Sequence, residues 1–175
     1  MGDFLAVPWF LPAVAVWLVV GLVTASRIAA GLRIRRIHAF ALVLSFGVIF
    51  SATLTPQWAA VAHGATGPTT CDLSRLGLAS LREYLLLGDT GGNVLMFVPL
   101  GVALGLLPRS RDKVVLIVAA VILPLGIETT QLMLGFLDRA CQSGDVVDNV
   151  AGLVVGLVVG SLIGAAAGVI RGVKQ

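Results

Sequence analysis

Carboxylate and amide side chains recur one helical turn apart in this otherwise largely apolar chain. The pairs are Asp89 with Asn93, Glu128 with Gln131, and Asp145 with Asn149, and Asp148 adjoins the third pair. Residues three or four apart share a helix face, so each pair predicts one polar face. Carboxylates so placed can act as general acids and bases, and amides can hold a substrate by hydrogen bonds.

Arg139 lies between the second and third pairs and could hold an anionic group. In a catalytic interpretation Glu128 and Asp145 are the general acid and base, and Arg139 stabilises a developing negative charge. The substrate would be positioned by three amides: Asn93, Gln131 and Asn149. The sequence shows no nucleophile with an obvious base and no strong metal spacing, so we predict neither a metal nor a cofactor. A divalent cation held by the carboxylates is compatible with the same residues.

Some of these residues also have structural interpretations. Asp89 and Asp145 would cap helix N-termini, and amides would join helices by hydrogen bonds of about 1 kcal/mol each. Capping does not account for the asparagines one turn deeper. Nor does it account for Glu128, which inside an apolar segment would stay neutral, pair with Arg139 or face water.

The composition is that of an integral membrane protein with a single domain, residues 1–175. The chain is 58% hydrophobic and 12% charged, whereas soluble domains carry roughly 25% charged residues. The basic residues do not alternate with aromatic ones, so nucleic-acid binding is not predicted. The first apolar segment has no Lys or Arg before it, which favours an uncleaved span over a signal peptide.

Five apolar segments are predicted to cross the membrane: residues 9–25, 38–54, 91–107, 114–136 and 146–170. Between the second and third, Leu76–Leu87 places leucines opposite Arg82 and Glu83, which predicts a short amphipathic helix on the membrane surface. The predicted fold class is therefore all-α integral membrane, a five-transmembrane-helix bundle with a short amphipathic helix in the outer loop.

The basic residues predict the orientation of this bundle. Nine of the twelve fall on one side of it, and Asp112 is the only acidic residue there. The positive-inside rule then places the amino terminus outside and the carboxyl terminus in the cytoplasm. The polar pairs all fall at the outer side.

Cys71 and Cys141, the only cysteines, lie in different outer loops under this orientation. An oxidising compartment would let them form a disulfide. Two free thiols are the alternative, because a sequence does not supply the Cα separation.

Glycines recur every four residues in two of the spans and predict close helix packing. They are Gly101 and Gly105, and Gly152, Gly156, Gly160, Gly164 and Gly168. The inner half of the bundle then offers no polar path for transport. Gly88-Asp89-x-x-x-Asn93-Val94 and Gly144-Asp145-x-x-x-Asn149-Val150 also match at an offset of 56 residues, as a weak internal duplication or by chance.

One combination of motifs resembles the VanZ-like family over about residues 54–164. It consists of Asp89-x-x-x-Asn93-x-x-x-Phe97-x-Pro99-x-Gly101, then Glu128-x-x-Gln131, and then Arg139, Asp145, Asn149 and Gly152. Segments 9–25 and 38–54 are then additional amino-terminal helices. The resemblance implies a multi-spanning protein of the bacterial plasma membrane, and the family's namesake is associated with resistance to the glycopeptide teicoplanin. Many relatives have an acidic residue where this chain has Gln142, so the resemblance implies no mechanism that needs a carboxylate at that position.

The favoured interpretation is an outward-facing polar cleft that binds a lipid-linked cell-envelope molecule or a lipophilic glycopeptide antibiotic. Its binding residues would be Asp89, Asn93, Glu128, Gln131, Arg139, Asp145, Asp148 and Asn149. The alternative is an enzyme acting on an outer-leaflet lipid-linked substrate by carboxylate acid/base chemistry. Transport, and a purely structural or partner-binding role, remain as further alternatives.

Overall fold

The chain is mostly α-helical, as its apolar segments predict. The computed structural model describes residues 7–86 and 88–172. The helices are α1 (Phe10–Leu32), α2 (Arg36–Thr53), α3 (Trp58–His63), α4 (Leu81–Leu85), α5 (Asp89–Gly105), α6 (Arg111–Met133) and α7 (Ser143–Gly172). A 3-10 turn at Gly135–Leu137 precedes α7. The described residues contain no strand and one isolated bridge, between Asp72 and Gln142.

Four helices are long and apolar enough to cross a membrane: α1, α2, α6 and α7, with mean hydropathies from 1.6 to 2.3. The prediction of an all-helical membrane protein is confirmed. The third predicted span corresponds to α5, whose 17 residues extend over about 26 Å. That length falls short of the roughly 30 Å hydrocarbon core of a bilayer, so a fifth crossing stays a prediction.

The first helix is longer than its apolar segment. We predicted its end near Ala25, whereas α1 continues to Leu32. Arg27 does not end the helix because it lies on the exposed face, while Ala25 and Ala29 are buried against Ala39 of α2. The other long helices, in contrast, extend beyond the predicted spans at their amino-terminal ends.

The amphipathic helix predicted over Leu76–Leu87 is wrong in extent. Only Leu81–Leu85 is helical, and Leu87 lies outside the described residues. The helix starts at Ser80 because of a capping box with Glu83: the Ser80 hydroxyl accepts from the Glu83 N–H, and the Glu83 carboxylate accepts from the Ser80 N–H at 2.7 Å. Before it, the Ala79 N–H donates to the Tyr84 hydroxyl at 3.0 Å, which holds the chain outside a helix.

Helix α5 lies at the centre of the core. Phe97, Leu100 and Leu104 have no exposed surface, and they pack with the fully buried Ile49 of α2 and Leu153 of α7. The helix contacts α2, α4, α6 and α7. Pro99 lies within α5, and Pro124 within α6. Apolar burial on most sides therefore positions α5, and with it the polar residues of its first turn.

Glycines bring α5 and α7 into backbone contact. A Cβ added to Gly105 would lie 2.7 Å from the Leu157 carbonyl oxygen, and one added to Gly156 would lie 2.8 Å from the Gly101 Cα. Gly152 and Gly160 face the α5 backbone in the same way, whereas Gly164 and Gly168 have no neighbour within 4 Å of an added Cβ. The predicted glycine packing in α7 therefore holds for Gly152, Gly156 and Gly160 and not for Gly164 and Gly168.

The turns between helices gather at two ends of the bundle. The end of α2, the starts of α5 and α7, and the end of α6 surround one cavity, and we call this the polar end. The α1–α2 turn, the α5–α6 turn and the carboxyl-terminal part of α7 surround a second cavity, and we call this the basic end.

Gly156→Ala should lower the free energy of unfolding by about 1–3 kcal/mol, because the added methyl group meets the α5 backbone. Gly164→Ala is the matched control on the same helix: its methyl group meets no atom, so it should raise the free energy of unfolding by about 0.5–1 kcal/mol through the higher helix propensity of alanine. Equilibrium unfolding in detergent, followed by circular dichroism, measures both. Equal stability of the two variants would contradict the described contact.

Candidate functional site

Helices α5 and α7 both begin at the polar end with a carboxylate in the first turn. Asp89 opens α5, and Asp145 lies in the first turn of α7. The Ser143 N–H at the start of α7 donates to the Asp72 carbonyl at 2.9 Å, so a neighbouring loop holds this terminus in place. Carboxylates here complement the positive end of each helix dipole. Asn93 and Asn149 lie one turn deeper on the same two helices.

The last turns of α6 contribute Glu128 and Gln131, which are both buried. The Gln131 side-chain amide donates to the carbonyl oxygen of Thr53 at 2.9 Å. Thr53 is the last residue of α2, where carbonyl groups lack a partner within the helix. Gln131 therefore joins α6 to α2, and one oxygen of Glu128 accepts the Gln142 N–H at 2.7 Å.

Arg139 lies in the connection between α6 and α7. Gly67 packs on its backbone, so close that an added Cβ would be 2.5 Å from the Arg139 carbonyl oxygen. The guanidinium donates to the Thr55 carbonyl at 3.2 Å, whereas its buried Nε has no hydrogen-bond partner among the described residues. Burial lowers the pKa of Arg139 from its ordinary value, and nearby Asp138 acts in the opposite direction to a lesser extent.

These elements enclose a cavity of about 180 Å³ at the polar end. Seven of the eight predicted residues line it: Asp89, Asn93, Glu128, Gln131, Arg139, Asp145 and Asn149. The predicted residues thus contribute three carboxyl groups, three amides and one guanidinium to the cavity, from α5, α6, α7 and the connection between the last two. Met96 and Ala52 supply apolar wall.

The charges around the cavity are not paired with one another. Within the described residues, no carboxylate lies within 4 Å of the Arg139 guanidinium. The side-chain oxygen of Asn149 is also buried without a hydrogen-bond partner there. We expected Glu128 to stay neutral, to pair with Arg139 or to face water. In the structure its side chain faces the cavity and does not pair with Arg139. The cavity therefore presents a donor and an acceptor that the protein leaves unsatisfied.

Asp148 does not line the cavity. Its carboxylate is fully buried and forms a bidentate ion pair with Arg75, with Nη1–Oδ1 at 3.0 Å. The Tyr84 hydroxyl donates to the same carboxylate at 3.0 Å, and the Ser143 hydroxyl donates to the Arg75 carbonyl. The hydrogen bonds to Asp148 raise the pKa of the Arg75 guanidinium above its ordinary value.

Sequence reasoning missed Arg75 and Tyr84 as the partners of Asp148, since nothing local connects them to α7. It also missed Gln57 and Gln142 as residues of the cavity wall. Gln142 differs from the acidic residue that many relatives have at this position, and this difference could have indicated that the position belongs to the site. Gln57 follows Pro56 in a segment assigned to a loop, and no pattern marked it.

The predicted disulfide between Cys71 and Cys141 is confirmed. The Asp72 N–H also donates to the Cys141 carbonyl at 2.8 Å, so the loop after α3 lies directly against the connection that carries Arg139 and Gln142. A bond that closes a loop of 70 residues contributes about 4 kcal/mol in the chain-entropy model. The disulfide therefore holds one wall of the cavity.

No metal centre is evident within residues 7–86 and 88–172, where no three His, Cys, Asp or Glu side chains converge closely enough to hold an ion. Carboxylates such as those of the cavity can accept hydrogen bonds from hydroxyl or ammonium groups.

Arg75→Gln should lower the free energy of unfolding by about 2 kcal/mol, because it leaves the buried Asp148 carboxylate without its counter-ion. Arg82→Gln, at an exposed arginine of α4, should change it by less than about 0.5 kcal/mol. Thermal and chemical unfolding in detergent test this pair. The structural role of Arg75 would be refuted if both variants unfolded alike.

Searches of curated proteins and of solved structures find no match to this chain. The sequence model of one family, described as VanZ/LLP1, matches residues 9–164. The match begins at Trp9, directly before α1, so it extends beyond the region 54–164 that contains the quoted motifs. It also includes every residue that lines the polar cavity. The chain therefore belongs to the VanZ/LLP1 family.

Proposed function

We propose that the protein binds the polar head of a lipid-linked cell-envelope molecule in the cavity at the polar end. The observation that carries this proposal is the half-buried Arg139, whose Nε is buried and has no hydrogen-bond partner in the described residues. Partial burial of a cation without a counter-ion is unfavourable, and an anionic group of a ligand would reduce that penalty. A phosphate matches the planar donor arrangement of arginine.

The other polar residues of the cavity favour a ligand with hydroxyl or amine groups. Carboxylates accept such donors, and amides serve as both donors and acceptors. Among the described residues, the second carboxylate oxygen of Glu128 and the side-chain oxygen of Asn149 have no hydrogen-bond donor. A sugar joined through phosphate to a lipid supplies the anion and the hydroxyl groups together.

The size of the cavity favours a head group over a whole antibiotic. Pockets that enclose a drug-sized ligand measure about 300–1,000 Å³, whereas this cavity measures about 180 Å³. A phosphate with part of a sugar fits this volume. A lipophilic glycopeptide, the other ligand predicted from the sequence, would place only one substituent inside.

In this proposal α5 also crosses the membrane, and the polar end faces the outside. Five crossings place the amino terminus outside and the carboxyl terminus in the cytoplasm. Nine of the twelve basic residues then lie on the cytoplasmic side, as the positive-inside rule expects. The disulfide supports the same orientation, because it lies at the polar end and would form in an oxidising compartment.

Arg139→Gln should weaken binding of the ligand by about tenfold or more, because a hydrogen bond to a charged group contributes about 1.5–3 kcal/mol. The measurement is photo-crosslinking of the full chain, in phosphatidylcholine vesicles, to a photoreactive isoprenoid-phosphate-linked sugar. Arg139→Lys keeps the charge without the planar fork and should bind at an intermediate level.

Arg82→Gln is the control, since it removes an exposed arginine near the same end without altering the cavity. Labelling that stays at the wild-type level in Arg139→Gln would count against the proposal. So would equal loss in Arg82→Gln, because it would indicate a general effect of charge.

An enzyme of carboxylate acid/base chemistry is the second candidate, favoured because Glu128 and Asp145 line the same cavity. In this alternative one carboxyl group donates a proton to the leaving group of a lipid-linked substrate while the other accepts a proton from water. The amides position the substrate, and Arg139 stabilises the developing negative charge.

Glu128→Gln tests the alternative, because the amide oxygen can still accept the Gln142 N–H but cannot transfer a proton. If the cavity is catalytic, turnover of the lipid-linked sugar should fall by about a hundredfold or more with binding retained. Glu83→Gln, at an exposed glutamate of α4, is the control. Turnover that is absent in the wild type, or unchanged in Glu128→Gln, would eliminate the alternative.

A further inference from the structure

A second cavity, of about 420 Å³, lies at the basic end of the bundle. Its basic wall is formed by Arg33, Arg35 and His38, at the turn from α1 to α2. Its apolar wall is formed by Leu106, Pro108 and Ala167. The two kinds of wall meet at the ends of helices, which is the depth of lipid head groups in a membrane.

Arg33 occupies a backbone conformation that usually belongs to glycine. Its φ of 54° and ψ of 43° lie in the left-handed helical region. The backbone N–H groups that follow α1 are satisfied there, with the Ile34 N–H donating to the Ala29 carbonyl at 3.0 Å. Glycine would adopt this backbone conformation with less strain than arginine does. The presence of an arginine here therefore suggests a role for its side chain.

The two arginines of this cavity have no counter-ion among the described residues. No carboxylate lies within 4 Å of Arg33 or Arg35 in the described part of the chain. Arg36, which does not line the cavity, instead donates to the Leu22 carbonyl at 3.3 Å. The positive charge of the cavity wall is therefore available to an anion from outside the protein.

Helix α7 leaves the floor of this cavity open. Its earlier glycines lie against α5, but a Cβ added to Gly164 or Gly168 would meet no atom within 4 Å. Both glycines line the cavity. The floor can therefore accept an apolar segment such as the beginning of an acyl chain.

We propose that this cavity binds an anionic phospholipid, with its phosphate between Arg33 and Arg35 and its glycerol and first acyl carbons against α7. Basic pockets between membrane helices recognise such head groups. The positive-inside rule accounts for arginines at this end but not for their convergence on an apolar-walled cavity. Arg109 and Arg111 lie at the same end and do not line it.

The test is native mass spectrometry of the full chain after transfer from vesicles with equal amounts of phosphatidylglycerol and phosphatidylcholine. The wild type should retain phosphatidylglycerol in preference to phosphatidylcholine. The double variant Arg33→Gln/Arg35→Gln should lose that preference by at least about tenfold. Arg109→Gln/Arg111→Gln removes the same charge at the same end and should keep it.

Gly164→Leu tests the position of the lipid without changing the charge. The added side chain fills the floor of the cavity and meets no protein atom near its Cβ. The variant should fold and lose retained phosphatidylglycerol. Retention unchanged in this variant or in Arg33→Gln/Arg35→Gln, or equal loss in Arg109→Gln/Arg111→Gln, would overturn the proposal. So would a wild type that does not distinguish the two lipids.

Discussion

The backbone contact between α5 and α7 is the constraint on which the polar end depends. Because glycines replace side chains along both helices, the two axes approach closely, and the helices run parallel from the same end. Their first turns therefore lie side by side, which brings Asp89 and Asn93 next to Asp145 and Asn149. The two Gly-Asp-x-x-x-Asn strings thus belong to neighbouring helices that contribute similar groups to one cavity.

The remaining walls of the cavity are held by hydrogen bonds to main-chain carbonyls at the end of α2. Gln131 bonds to Thr53, and Arg139 bonds to Thr55. The disulfide and the ion pair between Arg75 and Asp148 fix the surrounding loop. These contacts leave the Nε of Arg139 and the side-chain oxygen of Asn149 unsatisfied. The cavity wall is therefore held by contacts between distant segments, while two of its buried polar atoms have no hydrogen-bond partner among the described residues.

The two cavities have opposite chemistry, and α7 contributes to both. At the polar end carboxylates outnumber the single arginine, and positive helix ends offset part of their charge. At the basic end arginines meet open glycines and apolar side chains. The four-residue spacing continues from Gly152 to Gly168, but α5 ends at Gly105, so no described residue lies within 4 Å of a Cβ added to Gly164 or Gly168. The end of α5 therefore marks the point along α7 where the packed glycines give way to less closely packed ones.

Local signals in the sequence determined the helices, the membrane class, the polar residues of each helix and the pair of cysteines, because periodicity and composition act over one or two turns. Contacts between distant residues decided the rest. Asp145 and Asp148 are three residues apart on one helix, yet the first lines the cavity and the second binds an arginine 73 residues away. The capping box at Ser80 makes α4 start later than the sequence predicted. The position of α5 determines which glycines of α7 are packed against another helix. Spacing along a helix defines a face, but only the assembled bundle defines what that face meets.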